Sequence, residues 1–218
     1  MHITKRYSWI VFCALGALLL GIGMLATSGE STKATTTAPD NEIVLSIGEI
    51  DRSALNEGDT LRKTHKYKKA IAAYQKVLDT QGMAQSVRAE AEYDIGLSYL
   101  WLGEYDKAHT IYTHMLNIYK NDPNAVGYAK YSIAWIEIQQ GQYTSAIQLL
   151  QSVLAEGKCT DKELCSRTQF QIGKIYLSFI KNKEEGLRAL RMVVLNYPGT
   201  KIYNHPWLSG SFYKYCYV

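Results

Sequence analysis

The sequence lacks the short motifs on which common enzyme classes depend. No H-E-x-x-H zinc motif, G-x-S-x-G nucleophile turn or Gly-rich phosphate loop after a strand occurs in its 218 residues. The five His are scattered, and His109 and His114 are five positions apart, so they would point in different directions on a helix. Asp106 and His109 have a spacing that could bind a metal, but such a pair is more typical of a solvated surface. We therefore predict no enzyme activity, no catalytic residue, no metal site and no cofactor.

A strong charge of one sign is also missing. The formal net charge is +4, and two of the cations, Lys5 and Arg6, precede an apolar opening segment, so the remainder carries only about +2. This bias is too weak to indicate a nucleic-acid partner. Glu90, Glu92 and Asp94 alternate in direction on a predicted helix, and we expect them on its solvated surface.

Only one long apolar run is present, and it extends without a charge from Trp9 to Ala26. With the basic flank before it, this run predicts a signal anchor or signal peptide over residues 1–26. The small residues "ATS" at 26–28 leave cleavage open as an alternative to an uncleaved anchor. Either outcome predicts an extracytoplasmic, periplasmic location, with membrane contact through residues 9–26 if the run is retained. Residues 27–42, rich in Ser and Thr, predict a flexible linker.

The rest of the chain is organised by a repeat. Tyr67, Tyr105 and Tyr143 recur at equal intervals, and an Ala follows each three residues later. Positions seven and ten residues after each Tyr are large and mostly apolar, which keeps one face of a helix. Nine residues before each Tyr stands a small residue, and two before stands His65, Gly103 or Gly141. Glycine there is typical of the left-handed residue that ends a helix.

A fourth unit follows out of step. "QIGKIYL" at 171–177 matches "DIGLSYL" at 94–100, and an amphipathic segment then runs from 183 to Pro198. Each unit is therefore predicted to be two helices joined by a short turn. We expect the small residue to face the Ala, with the repeat Tyr covering that contact. One hairpin cannot bury both faces, so the units must stack.

Two helix starts are marked by capping residues. Asp122 before Pro123 predicts an N-cap with Pro at the first helical position. The "TDKE" stretch at 160–163 has the form of a capping box, with Thr160 as N-cap and Glu163 reaching back.

The pattern resembles the tetratricopeptide repeat family over about residues 52–198. The resemblance rests on Ile95, Gly96, Tyr99, Gly103, Tyr105, Ala108 and Tyr112, and in the fourth unit on Ile172, Gly173, Tyr176 and Pro198. It implies an all-α, right-handed superhelical stack of about four helix-turn-helix repeats, here over residues 43–198. The interval between repeat Tyr residues is longer than the family's usual one, and Glu57 and His65 stand where Leu and Gly are usual. Longer intervals resemble bacterial envelope members of the family.

The first helices of stacked hairpins are expected to line a concave groove. We expect the groove to be lined by residues of these first helices that lie outside their packing faces. The candidate partner-binding residues are Tyr93, Leu97, Trp101, Tyr128, Tyr131, Trp135, Arg167, Phe170 and Lys174. Aromatic rings with Arg and Lys at the rim suit a peptide or protein partner; taken singly, each ring could instead pack between hairpins. We therefore predict a non-catalytic scaffold or assembly factor of the cell envelope. The alternative is a structural module that forms homo-oligomers through its repeat ends and tail.

Two of the four Cys lie close together at the predicted start of the fourth hairpin. Cys159 and Cys165 are a possible disulfide in a compartment that permits one, although Cys159 could act only as a hydrophobic staple.

The aromatic-rich tail at 199–218 fits no repeat. It is expected either to fold back over the fourth hairpin or to contact a partner.

Overall fold

The part of the chain that can be described is entirely helical and belongs to one compact unit. The computed structural model describes residue 53, residues 55–155 and residues 159–208, and no strand occurs among them. The predicted membrane segment and the linker lie outside these ranges. Among the helices within them, none combines the length and the apolar character that a membrane span requires. The helices, in chain order, are α1 (residues 55–63), α2 (Tyr67–Asp79), α3 (Gln85–Trp101), α4 (Tyr105–Ile118), α5 (Pro123–Gln139), α6 (Tyr143–Leu154), α7 (Lys162–Ile175) and α8 (Lys183–Asn196).

These helices form four antiparallel hairpins, α1–α2, α3–α4, α5–α6 and α7–α8. Each hairpin packs on the next through the pairs α2–α3, α4–α5 and α6–α7, and successive first helices also touch at α3–α5 and α5–α7. The stack of helical hairpins predicted from the repeat is therefore confirmed. Its connections between hairpins lie at 80–84, 119–122 and 155–161, where the long repeat interval places its extra residues.

The repeat Tyr residues begin the second helix of their hairpins, at Tyr67, Tyr105 and Tyr143. The positions three, seven and ten residues later form the buried face of each second helix. These buried residues are Ala70, Tyr74 and Val77 in α2, Ala108, Tyr112 and Met115 in α4, and Ala146, Leu150 and Val153 in α6. The 3-7-10 spacing thus marks the seam along which each hairpin closes.

Each hairpin turn contains one residue with left-handed backbone, two positions before the second helix. Its φ is +75° at Gly103 and +76° at Gly141, as the sequence predicts, but the same conformation is held by His65 (60°) and Lys181 (64°). In the middle two turns the next N–H closes back onto the first helix, from Glu104 to Tyr99 and from Gln142 to Glu137. This bond satisfies a carbonyl that the helix end would otherwise leave unpaired.

The small residues on the first helices meet a different group from the one expected. A Cβ on Gly96 would stand 2.7 Å from the ring of Tyr112, and a Cβ on Gly58 would clash with the ring of Tyr74. The glycines therefore make room for the side chain seven residues after the repeat Tyr, rather than for the Ala. In the fourth hairpin two small residues do face each other, since a Cβ on Gly173 would lie 3.1 Å from the carbonyl oxygen of Gly186.

The fourth hairpin holds one residue more than the others between its glycine and its second helix. Gly96 precedes Tyr105 by nine residues, whereas Gly173 precedes Lys183 by ten. A π-helical turn at Tyr176–Ile180 absorbs the extra residue, and Asn182 N–H donates to the Tyr176 carbonyl, six positions back. The irregular spacing seen in the sequence is thus a single-residue insertion.

Of the two predicted helix caps, one is confirmed and one is wrong by a residue. Asp122 accepts from the N–H groups of Asn124 and Ala125, with Pro123 in the first helical position. In α7 the cap is Asp161, which accepts from the N–H groups of Glu163 and Leu164. Aspartate is preferred to threonine as a cap, and the Thr160 hydroxyl instead donates to Asn124 Oδ1 at 3.0 Å.

The described part of the tail folds back on the last hairpin. Ile202, Trp207 and Leu208 pack against the cluster of Phe170, Leu177, Leu190 and Val193 from α7, the π-turn and α8. The Trp207 ring meets Phe170 edge-on at 5.2 Å. Residues 200–208 therefore cover part of the apolar surface that a further repeat would have buried.

Candidate protein-binding groove

A groove of about 720 Å³ runs along the first helices of the stack. α3 contributes the largest share of its wall, with Ser86, Ala89, Glu90, Tyr93, Asp94 and Leu97. The remaining lining residues come mainly from neighbouring first helices and their caps: Asp59, Arg62, Asp122, Asn124, Ala125, Tyr128 and Arg167, with Met115 below and Lys201 from the tail. The groove therefore crosses all four hairpins, and three of them supply charged side chains from their first helices.

Four of the nine predicted groove residues line this cavity. Tyr93, Leu97, Tyr128 and Arg167 come together there from α3, α5 and α7. The other five lie elsewhere in the described part of the chain, because the first helices are long and mainly their N-terminal portions face the cavity.

Trp101 and Trp135 lie near the far ends of their helices and contact the repeat Tyr of the preceding hairpin. Tyr67 stacks on Trp101 with centroids 6.4 Å apart, and Tyr105 meets Trp135 at 6.0 Å. Tyr143 stacks in the same way on Phe179 at 4.4 Å. The recurrent Tyr thus joins consecutive hairpins, which is the alternative that the sequence left open for these rings.

Phe170 requires a correction. Its side chain is 7% exposed beneath Trp207 and the ring of His205, so it belongs to the core of the last hairpin and not to a groove wall. Tyr131 is half-buried and packs against the cluster around Ala134 and Ile147. Lys174 lies in the last turn of α7, away from the cavity.

Two aromatic rings form the middle of the groove. Tyr93 and Tyr128 meet edge-on with centroids 5.2 Å apart, and Tyr93 also lies 6.0 Å from Tyr112 below it. The Tyr128 hydroxyl donates to Asp161 Oδ2 at 2.6 Å. Although burial opposes it, this bond and the N–H groups of Leu164 and Glu163 lower the pKa of Asp161. The ring pair is therefore fixed to the start of α7 and offers a rigid apolar surface.

A charged cluster closes the end of the groove near the first hairpin. Arg62 lies with its Nε 3.4 Å from Asp94 Oδ1 and an Nη 3.2 Å from Asp59 Oδ1. The Tyr74 hydroxyl donates to the same Asp59 oxygen at 2.7 Å. Asp94 is 7% exposed, and burial raises its pKa to about 7; Arg62 opposes that rise, while Asp59 and Glu90 add to it.

The expectation that these carboxylates are solvated was wrong for two of the three. Glu90 is exposed, but Glu92 and Asp94 are both buried. Glu92 accepts from the Tyr119 hydroxyl at 3.0 Å and lies 3.0 Å from His114 Nδ1. These partners are on other elements, far along the chain, so helix periodicity could not predict them. The only indication in the sequence was the unusual number of Tyr residues near these acids, whose hydroxyls can serve as partners.

The opposite end of the groove carries basic side chains. Arg167 pairs with Glu163 at 3.6 Å, and the backbone N–H of Lys201 donates to the other oxygen of Glu163 at 3.2 Å. Glu163 thus holds the tail against α7 and leaves Lys201 exposed at the rim. A bound segment would meet carboxylates at one end and cations at the other.

Cys159 and Cys165 are joined by a disulfide, with their Cα atoms 5.8 Å apart. The bond ties the connection before α7 to the first turn of that helix. Asp161, which caps α7 and holds Tyr128, lies within the closed loop. The disulfide therefore closes the loop that carries this cap.

The groove combines apolar rings with paired charges but shows no set of groups arranged for chemistry. Within the described ranges, no group of three or more His, Cys, Asp or Glu is placed to hold a metal ion. The arrangement suits recognition of another chain through rings and charge-assisted hydrogen bonds.

Comparison with known families supports the repeat assignment. Two family models described as tetratricopeptide repeat match the chain, one at residues 128–156 and 167–200 and the other at 51–81. The matched segments cover the first, third and fourth hairpins. No curated protein matches the chain.

Two solved structures share the fold. "MamA RS-1 ArsTM double mutant" is 18% identical with a TM-score of 0.52, covering 77% of this chain and 86% of that one. "Crystal structure of MamA protein" is 20% identical with a TM-score of 0.50, covering 78% and 90% respectively. At this identity the likeness concerns the arrangement of hairpins alone.

Proposed function

Since the chain is a tetratricopeptide repeat protein, we propose that it is a non-catalytic scaffold that holds a segment of another polypeptide in its groove. The observation that carries this proposal is the cavity along the first helices, where the Tyr93–Tyr128 ring pair lies between an acidic and a basic end. A peptide that offers an apolar side chain to the rings and opposite charges to the two ends fits this surface.

Site-specific photocrosslinking tests the groove directly. A photoreactive phenylalanine analogue replaces Ser86, which is exposed and lines the cavity, in the full chain. The matched control places the same analogue at Thr113, which is exposed on α4 and lies away from the cavity. We expect an adduct with a specific protein from position 86 and none from 113.

A variant that blocks the cavity shows whether the adduct depends on the groove. Glu90→Arg fills the cavity from an exposed position without touching the core, so it should abolish the adduct at 86 while the melting temperature stays within about 2 °C of the parent. Equal adducts from 86 and 113, or an adduct that survives Glu90→Arg, would show that the partner binds elsewhere.

We also propose that the scaffold works in the cell envelope, outside the cytoplasm. The apolar run at 9–26 with its basic flank supports export, and the Cys159–Cys165 disulfide supports an oxidising compartment. Alkaline phosphatase fused after residue 218 should be active in a bacterial host, and deletion of 9–26 should abolish that activity. N-terminal sequencing of the exported protein then distinguishes an anchor from a cleaved signal.

A second candidate function is self-assembly through the last hairpin. α8 exposes Met192, Val194 and Leu195, the last with 71% of its surface accessible. Sedimentation of the full chain against Leu195→Lys tests this function: oligomers lost in the variant support it, whereas identical sedimentation removes it.

A further inference from the structure

Positive charge is concentrated around the turn of the first hairpin. Lys63, Lys66, Lys68 and Lys69 all lie exposed in one short stretch, and no acidic residue occurs between 60 and 78. Among the described residues, no ion pair engages any of these four lysines, whereas Arg62 beside them is paired with Asp59 and Asp94. We call the four lysines the basic turn.

Trp101 lies beside the basic turn and is largely exposed. Its ring stacks on Tyr67, which stands between Lys66 and Lys68, with an interplanar angle of 10°. Although it makes this contact, 62% of Trp101 remains accessible. The acidic residues nearest in sequence to Trp101 are Glu104, which pairs with Lys107 at 2.6 Å, and Asp106. The surface therefore keeps an excess of positive charge next to an exposed indole.

This combination differs from the groove in its chemistry and its position. None of the four lysines or Trp101 lines the cavity. The surface offers four exposed positive charges and one exposed amphipathic ring. The surface of an anionic lipid bilayer fits both features. Lysines attract its anionic headgroups, and indoles favour the boundary between membrane and water.

The position of the turn along the chain favours the same partner. Only the stretch between Ala26, the end of the apolar run, and Leu55 in α1 separates that run from the first hairpin. The first hairpin is therefore the one that follows the apolar run in the chain. We infer that the basic turn and Trp101 form a contact for an anionic lipid bilayer, separate from the polypeptide groove.

Fluorescence of the full chain in lipid vesicles tests the inference. The chain is reconstituted in vesicles of phosphatidylcholine alone, or with about one-third phosphatidylglycerol, each carrying lipids brominated on the acyl chain. The Trp101 signal is the difference between the parent and Trp101→Phe. We expect at least about half of this signal to be quenched in the anionic vesicles, less than about a tenth in the neutral ones, and the quenching to vanish in about 0.5 M salt.

Matched charge variants locate the contact. Neutralising the basic turn with Lys63→Gln, Lys66→Gln, Lys68→Gln and Lys69→Gln should reduce the quenching at least about fivefold. The control removes the same charge at four other exposed cations, through Lys120→Gln, Lys162→Gln, Lys183→Gln and Arg191→Gln, and should keep the quenching. Circular dichroism verifies that both variants are folded.

Three results would overturn the inference. Quenching of equal size in neutral vesicles would show that charge is not involved, and equal loss in both variants would show that only the total charge matters. If anionic vesicles leave Trp101 unquenched while soluble polyglutamate shifts its emission, the basic turn binds an acidic polypeptide and the membrane assignment falls.

Discussion

Two glycines on first helices lie directly under tyrosine rings, and these contacts set how closely each hairpin closes. Gly96 meets Tyr112, and Gly58 meets Tyr74, so the ring takes the space that a Cβ would occupy. Both rings are fully buried. At this scale stability depends on the absence of one carbon atom, since a packed core accommodates extra volume poorly.

Gly96→Ala should destabilise the protein by about 1–3 kcal/mol, because its Cβ would fall 2.7 Å from the Tyr112 ring. Chemical denaturation measures the effect, with Ser86→Ala on the exposed side of α3 as control. The double variant Gly96→Ala, Tyr112→Leu should cost less than the sum of its two single changes, because the smaller side chain vacates the space. Simple additivity would mean that the ring is not the obstacle.

Left-handed backbone at a residue with a side chain is a second local cost. Lys181 holds a φ of 64° at the turn where Gly103 and Gly141 stand in the middle hairpins. Lys181→Gly should raise the free energy of unfolding by roughly 0.5–1 kcal/mol. Glycine relieves the steric strain, and its greater chain entropy in the unfolded state cancels only part of that gain. Arg191→Gly, at an exposed position in the interior of α8, should lower the free energy of unfolding by about 1 kcal/mol. Thermal melts of both compare the signs.

Asp94 makes stability depend on pH in a definite direction. Its pKa is raised to about 7 in the folded chain by burial, against about 4 when unfolded, so its contribution is full below pH 4 and is lost as pH rises through 7. The stability of Asp94→Asn relative to the parent should therefore increase by on the order of 2 kcal/mol between pH 4.5 and pH 8. Urea unfolding at both pH values tests this. Ser86→Ala, an exposed change on the same helix that removes no titratable group, should show no such trend.

At the scale of helices and turns, the stack tolerates irregularity where backbone bonds can be re-made. The π-turn at Tyr176–Ile180 holds one inserted residue, and Lys181 and Asn182 still close the hairpin after it. Lys183, the first residue of α8, keeps the 3-7-10 spacing to the buried residues Gly186, Leu190 and Val193. An insertion is thus confined to one turn instead of shifting the next seam.

Deleting Ile180 should convert the π-turn into regular helix and cost less than about 2 kcal/mol, because Gly173 and Lys183 would regain the nine-residue spacing of the other hairpins. Deleting buried Leu100 in α3 should instead unfold the chain, since no bulge is present there to absorb the shift. Circular dichroism and urea titration of the two deletions measure the contrast. Equal damage from both would show that the bulge is required for packing.

At the scale of the whole stack, the described tail takes the place of a capping helix. Ile202, Trp207 and Leu208 cover the cluster around Phe170 and Leu190. Trp207→Ala with Leu208→Ala should therefore destabilise the protein by about 3–5 kcal/mol and increase binding of a dye for apolar surface. Tyr203→Ala, at an exposed position in the same segment, should change stability by less than about 1 kcal/mol. Unaltered unfolding of the double variant would show that the tail is not a cap.

Much of this stack was predictable because its main signals are local. The repeat Tyr, the Ala after it and the glycine before it each depend on near neighbours in the chain, so their spacing predicted the hairpins. The groove was predictable only in part. Tyr93 and Tyr128 follow from first-helix periodicity, but Arg62 meets Asp94 from the preceding hairpin, and Phe170 is buried only because the non-repeating tail returns to it. Because these contacts occur only once in the chain, the repeat pattern of the sequence does not reveal them.

The order of contacts in the stack has a mechanical consequence. Consecutive hairpins hold one another mainly through neighbouring helices and one aromatic pair each. The first and last hairpins each have one neighbour and the inner ones have two, so tension between the two ends should detach an outer hairpin before an inner one. Optical tweezers pulling on the two termini should then record a series of small extensions, one per hairpin. A single large extension would show that the stack unfolds as one unit.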